Sequence, residues 1–334
     1  KDINGYRTDI NTDIGKDGNT AVLINPNFAR DAAALMLQYN PNDYIPIAGT
    51  NSHNLVKTGI SSLFNGNISA LSANTFGKNP LLKVFRYDKL NRIKRMQTAT
   101  LSGRNWGTLT NNYATAYTYD FNGNITSLHR NTETAQSLHD IGYQYNNANN
   151  RLNSITATGI HSSTYTYDPI GNLTADAGES LQIPWNAAGK VKQIITPTDT
   201  IRYTYNPAGQ RQSKQIIHAQ CSIFNYYLLD ATGNVMCIYT RHGDTLTAGE
   251  RPIYGTKRLG ELRQQIKIGV NGLLLNYHTA TIGFRHYELT DHLGNVMATI
   301  SDRKTLSADS VYYPIVITAT DYYPFGYPIA DRSW

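Results

Sequence analysis

The sequence predicts an all-β fold built from antiparallel hairpins, and three observations carry that expectation. Of its 334 residues, 24 are tyrosine against 8 phenylalanine and 3 tryptophan. That balance suits half-covered sheet surfaces, where the ring packs and the hydroxyl reaches water or a partner. The 26 glycines and 12 prolines, interspersed with asparagine along the whole chain, supply frequent turns. A strand–turn–strand motif then recurs about eight times, which decides the class. Charged residues make up 16% and hydrophobic ones 40%, so neither a charge-rich disordered segment nor a helical coiled coil fits. No apolar run approaches the roughly 20 residues that span a bilayer.

Residues 1–60 form a lead-in. There Asn27 is placed to cap a short helix whose Phe28, Ala32, Leu35 and Tyr39 share one apolar face, stopped before Pro41. The alternative is a loop packed against the sheet. Residues 61–250 hold the repeats. The clearest are YTYDFNGNI from Tyr117, YTYDPIGNL from Tyr165 and YTYNPAGQR from Tyr203. Looser copies are FRYDKLNRI from Phe85, YQYNNANNRL from Tyr143, IPWNAAGKV from Ile183 and YYLLDATGNV from Tyr226. Residues 251–334 add YELTDHLGNV from Tyr287 and a closing DYYPFG from Asp321 to Gly326.

Each unit has a physical reading. In Tyr-x-Tyr the rings alternate onto one face of a strand, so Tyr119, Tyr167 and Tyr205 are strand residues. Asp120, Asp168 and Asp291 then stand at the first position of a type I turn, with Pro169 and Pro207 at the second. Gly123, Gly171, Gly209, Gly233 and Gly294 are expected to be left-handed, closing the hairpin through a bulge that locks register. Pro324 and Gly326 punctuate the last copy.

These units resemble the tyrosine–aspartate (YD) repeats of Rhs proteins and, more distantly, of teneurins and toxin-complex C subunits. IYGTKRLG from Ile253, YELTDHLGNVMATISD from Tyr287 and DYYPFG from Asp321, in that order, resemble the Rhs repeat-associated core domain in its Bacteroidetes form. The resemblance covers about residues 60–330, beginning with SLFNGNIS from Ser62. It implies strands spiralling into a hollow shell, a β-cocoon, that encapsulates, presents or delivers a toxin-like C-terminal polypeptide. The implied setting is a secreted or cell-surface bacterial protein. The implied partners are that C-terminal segment, the rest of the shell, other copies or a secretion apparatus, with no nucleic acid and no membrane span. Many members cut themselves with aspartates beyond the YPFG stretch, which this chain does not reach, so no catalytic residue is assigned and no enzyme activity is expected of it. Adhesion, carbohydrate binding or self-assembly at a cell surface is the alternative.

The remaining motifs favour bland readings. The net charge of +6 and pI near 9.1 come from thinly spread cations; Arg92, Lys94 and Arg95 are expected on one solvated strand face. His286-Tyr287-Glu288 matches the H-x-E of zinc deaminases, but no P-C-x-x-C follows. Asp9, Asn11 and Asp13 are a weak calcium candidate, although Ile14 and Thr20 stand where an EF-hand needs Gly and Glu; the other reading is a turn cluster. No cofactor motif is present. Asn67, Asn124 and Asn172 begin N-x-[ST] triplets, each directly after a turn glycine. Cys221 and Cys237 are expected to be free and buried, since symmetric pairing about the Asp230 turn puts Cys237 opposite about residue 226. The ends, Lys1-Asp2-Ile3 and Ser333-Trp334, are read as interior to a longer polypeptide.

Overall fold

A computed structural model describes residues 32–40, 61–102, 105–219, 221–269, 274–275, 282–308 and 312–334. Among them the chain is all-β, with antiparallel strands throughout and one three-residue 3-10 turn, Pro324–Gly326. Asp9, Asn11, Asp13 and Asn27 lie outside the described residues. The chain divides into two compact units, Lys1–Asp140 with Tyr287–Trp334, and Ile141–His286.

The first unit has a closed core. Its strands Ala33–Gln38, Ala70–Thr75, Leu81–Tyr87 and Ile93–Ser102 pair in sequence, and Ile93–Ser102 pairs onward to Thr110–Tyr119. Met36, Ala70, Leu82, Val84, Ala99 and Trp106 make one apolar cluster. Leu81, Met96, Tyr113, Tyr323 and Ile329 make a second, tying the last strand, Pro328–Ser333, to the first hairpins.

The helix expected through Leu35 is corrected: Ala33–Gln38 is a strand. It pairs residue for residue with Ala70–Thr75, from Ala33↔Thr75 to Gln38↔Ala70. Met36 and Gln38, two apart, are its buried side chains. A short apolar run fits either period, and here the free edge of a neighbouring strand decides. The basic cluster is also corrected. Lys94 and Arg95 are consecutive on a strand, so they take opposite faces. Arg95 reaches Asn111 Oδ1 at 3.0 Å, and Arg92 lies 4.6 Å over the Tyr119 ring.

The second unit is built differently. Its strands form successive hairpins, including Asp199–Tyr205 with Arg211–His218 and Cys221–Leu229 with Val235–His242. From residue 164 to 236 no described side chain is buried. Cys237, Ala248 and Ile266 make a small cluster after that stretch. Both cysteines are free, but only Cys237 is buried; Cys221 is exposed, which corrects half of that expectation. Cys237 stands opposite Leu228, two residues from the symmetric estimate: the turn closes Asp230 against Asn234, and the bulge between Leu228 and Leu229 adds one residue more. Cys221 faces His218 on the other side.

The turns follow the expected geometry. Gly123, Gly171, Gly209, Gly233 and Gly294 have φ of +91°, +101°, +76°, +95° and +92°. Register shifts fall at Thr118/Tyr119, Thr166/Tyr167, Thr204/Tyr205 and Leu228/Leu229, one residue before each turn. Not every copy uses glycine. Asn91 at φ +63° and Ala135 at +62° occupy the same place, the latter in a Thr132–Gln136 turn that the sequence did not reveal. A Cβ on Gly123 would meet nothing within 4 Å, so substitution there probes the backbone alone. Gly123→Val is expected to cost about 1–3 kcal/mol, and Ala135→Gly to stabilise by up to about 1 kcal/mol. Urea unfolding midpoints read both; an unchanged Gly123→Val midpoint would remove the register-lock argument.

Candidate functional site

The repeated unit is itself the most organised chemical feature of the chain. Its first component is a carboxylate staple across the turn. Asp120 Oδ1 accepts from the Asn124 backbone N–H at 2.8 Å, while Oδ2 accepts from the Asn124 amide at 2.8 Å. Asp168 with Asn172, Asp230 with Asn234 and Asp291 with Asn295 repeat this arrangement. Asn206 inverts one bond: its Oδ1 accepts from Gln210 N, and its amide donates to Gln210 Oε1 at 2.7 Å. In the earliest copy Asp88 holds Arg92 as an ion pair at 2.6 Å.

These bonds favour the ionised carboxylate. Hydrogen bonds from the Thr232 hydroxyl and the Asn234 side chain and backbone hold Asp230 far below the usual carboxylate range. For Asp120 and Asp168 desolvation pulls upward, and the bonds from Asn124 and Asn172 outweigh it, so both also sit low. The N-x-[ST] asparagines Asn124 and Asn172 are thus turn residues.

The second component is a latch between successive hairpins. Tyr119 Oη donates to Ile93 O at 2.6 Å, Tyr167 to Leu152 O at 2.9 Å and Tyr205 to Val191 O at 2.8 Å. Tyr87 to Ile68 O, Tyr254 to Val235 O and Tyr322 to Val296 O do the same at 2.8, 3.1 and 2.7 Å. Trp185 substitutes its indole N–H, 2.8 Å from Leu173 O. Each acceptor is the first apolar residue after the preceding turn. It lies beyond the last backbone pair recorded for the two strands, such as Arg95↔Ala116 for the Tyr119 latch. Twisted neighbours diverge toward their turns, and a phenol bridges the gap that an amide cannot.

Replacing one latch hydroxyl leaves a carbonyl without its donor. Tyr167→Phe is expected to destabilise by about 1 kcal/mol, and the triple Tyr119→Phe, Tyr167→Phe, Tyr205→Phe change by roughly the sum, since the sites share no partner. Thermal unfolding by circular dichroism reads this. A triple variant as stable as the wild type would reduce the latches to incidental contacts.

Tyr119, Tyr167 and Tyr205, the turn aspartates and the five turn glycines therefore sit in equivalent places. Pro324 and Gly326 belong to a divergent copy in which Tyr323 replaces the aspartate: Gly326 N donates to Tyr323 O at 3.2 Å and Tyr323 N to Tyr327 O at 2.8 Å. Phe325 there has φ +66°, an uncommon conformation for a large residue, and meets the Tyr117 ring edge-on at 5.1 Å.

Three features went unforeseen. In the first unit Asp321 is buried between Arg332, whose Nε lies 2.5 Å from Oδ2, and Lys83, whose Nζ lies 3.6 Å from Oδ1. Burial would raise Asp321, but the two cations hold it low; burial pulls Lys83 below its usual value. A cavity of about 240 Å³, lined by Leu71, Phe85, Met297 and Phe325 among others, opens beside Lys83. In the second unit a cleft of about 490 Å³ is lined by Trp185, Lys190, Val191, Ile194, Tyr203, Tyr205 and Arg211 with two glycines. Among the described residues no cluster of three His, Cys, Asp or Glu side chains could hold a metal ion. No helix of the described residues is long and apolar enough to cross a membrane.

Comparison with known proteins adds little to this geometry. No family model matches the chain, and no curated protein matches it. Among solved structures, a chain of the Photorhabdus luminescens Tc holotoxin pore, in a mutant form, aligns at 12% identity and a TM-score of 0.29, over 79% of this chain. This chain spans 16% of that one's length.

Proposed function

We propose that the chain is a structural segment of a secreted or cell-surface β-wall that encapsulates, presents or delivers another stretch of its own polypeptide, with no catalysis of its own. One observation carries the reading. Residues 164–236 form hairpins without a single buried side chain among those described, yet one face is apolar. Ile194, Ile201, Ile216 and Ile223 stand directly opposite one another on four successive strands, each only half-covered. Tyr203, Tyr205 and Tyr227 alternate onto the same face, while Arg202, Thr204 and Tyr226 point the other way and are exposed. A sheet that spends four isoleucines on an unfinished face is built to have something laid against it. Staples and latches supply, hairpin by hairpin, the rigidity that such a wall lacks in a core. The resemblance to YD repeats gives the occupant its class, a C-terminal toxin-like segment.

The test is a photoreactive benzoylphenylalanine placed at Ile216 in the natural polypeptide. Irradiation is expected to crosslink it, within one molecule, to a segment outside residues 61–334, as read by peptide mass spectrometry. Crosslinks confined to neighbouring wall strands, or to other copies, would overturn the container reading.

A further inference from the structure

The aromatic cleft of the second unit carries two cations, Lys190 and Arg211, that the wall function leaves unused. Two of its three rings are fixed at their polar tips: Trp185 Nε1 is spent on Leu173 O and Tyr205 Oη on Val191 O. What remains for a ligand is ring surface, held in place before anything binds, so little side-chain entropy is lost on binding. Val191 and Ile194 complete the apolar lining. Two cations flank it. The Arg211 guanidinium lies 4.5 Å from the Tyr203 ring centroid. The Lys190 side chain crosses Gly209 closely enough that a Cβ there would stand 3.3 Å from its Cε. Both cations are exposed, and no lining residue carries a carboxylate. The volume, about 490 Å³, falls within the range of small-ligand sites.

The geometry points to a site for an acidic saccharide, a pyranose bearing a carboxylate. The C–H face of such a ring is apolar and flat enough to pack on tryptophan and tyrosine. Its carboxylate accepts from a guanidinium or ammonium in a charge-assisted bond. A neutral sugar would use the rings and gain nothing from the two cations. A single-stranded nucleic acid would also stack, but it needs a basic track along successive phosphates, and this cleft offers two cations. Ile194, Tyr203 and Tyr205 also stand on the face assigned to the enclosed polypeptide, so this is a site of the uncovered wall, formed by the hairpins that line it.

Isothermal titration of the intact chain with trigalacturonate, maltotriose and a ten-residue oligothymidine tests it. Saturable binding of trigalacturonate is expected, with maltotriose at least about tenfold weaker, the loss of one charge-assisted bond. Arg211→Gln and Lys190→Gln, singly and together, are expected to weaken trigalacturonate progressively, the double variant by at least about tenfold, while the thermal midpoint stays at the wild-type value because both side chains are exposed. Absence of saturable binding, equal affinity in the double variant, or preference for the oligothymidine would overturn the assignment. None of these outcomes bears on crosslinking at Ile216.

Discussion

Asp321→Asn is expected to destabilise the chain by about 3–5 kcal/mol, because it leaves two buried cations without their counter-ion. Lys83, Asp321 and Arg332 are 5%, 2% and 7% exposed, so water cannot step in. Their remaining bonds go to main-chain carbonyls: Lys83 Nζ to Tyr322 O at 2.8 Å and Arg332 to Asn79 O at 2.7 Å. The sign with pH follows from the depressed carboxyl. Its stabilisation is fully present above the unfolded-chain value of about 3.9 and is lost as pH falls through the lower folded value. Wild-type stability should therefore decline in acid, and the Asn variant should decline less over that window. Guanidinium unfolding at neutral and acid pH measures both. A joint Lys83→Met, Asp321→Leu, Arg332→Met replacement should come close to neutral, since hydrophobic groups can fill a buried ionic site. An Asp321→Asn variant with wild-type stability would mean that the trio contributes nothing.

Tyr323→Ala is expected to cost a similar amount, about 3–5 kcal/mol, as a large-to-small change in a packed core. Tyr323 is 3% exposed and packs with Leu81, Met96, Tyr113 and Ile329. Its hydroxyl donates to Asn131 O at 2.6 Å, and burial pushes its ionisation well above the ordinary range. Tyr323→Phe removes only that bond and should cost about 1–3 kcal/mol. The difference between the two variants separates ring from hydroxyl. Equal midpoints for both would place the whole contribution in the hydrogen bond and contradict the packing account.

The hairpins were legible because their determinants are local. Period-two tyrosines, an Asp or Asn and a glycine three residues later specify strand, turn and bulge without distant help. Ala135 escaped notice because its turn has neither the aspartate nor the glycine, yet adopts the same backbone. The helix expected through Leu35 failed because six apolar residues in a row fit both periods. The latches were half legible. Tyr119, Tyr167 and Tyr205 stood out, but their acceptors are main-chain carbonyls, which leave no trace in a sequence. Lys83 and Asp321 stand on strands far apart in the chain, so no spacing rule could bring them together. The asparagine after Gly123, Gly171, Gly233 and Gly294 was visible as a repeated letter; that it completes the carboxylate staple needed coordinates.

The asymmetry of the latch bears on how such chains lengthen and shorten over generations. The donor is a side chain, but the acceptor is a carbonyl that every residue carries. A hairpin copied into a new position therefore brings its own tyrosine and finds an acceptor already waiting on whatever precedes it. No compensating change is needed in the neighbour, and losing a hairpin leaves the next tyrosine facing another carbonyl of the same kind. Gene duplication and unequal crossing-over can then alter hairpin number almost freely. The latches accordingly bridge anywhere from 12 to 26 residues of chain.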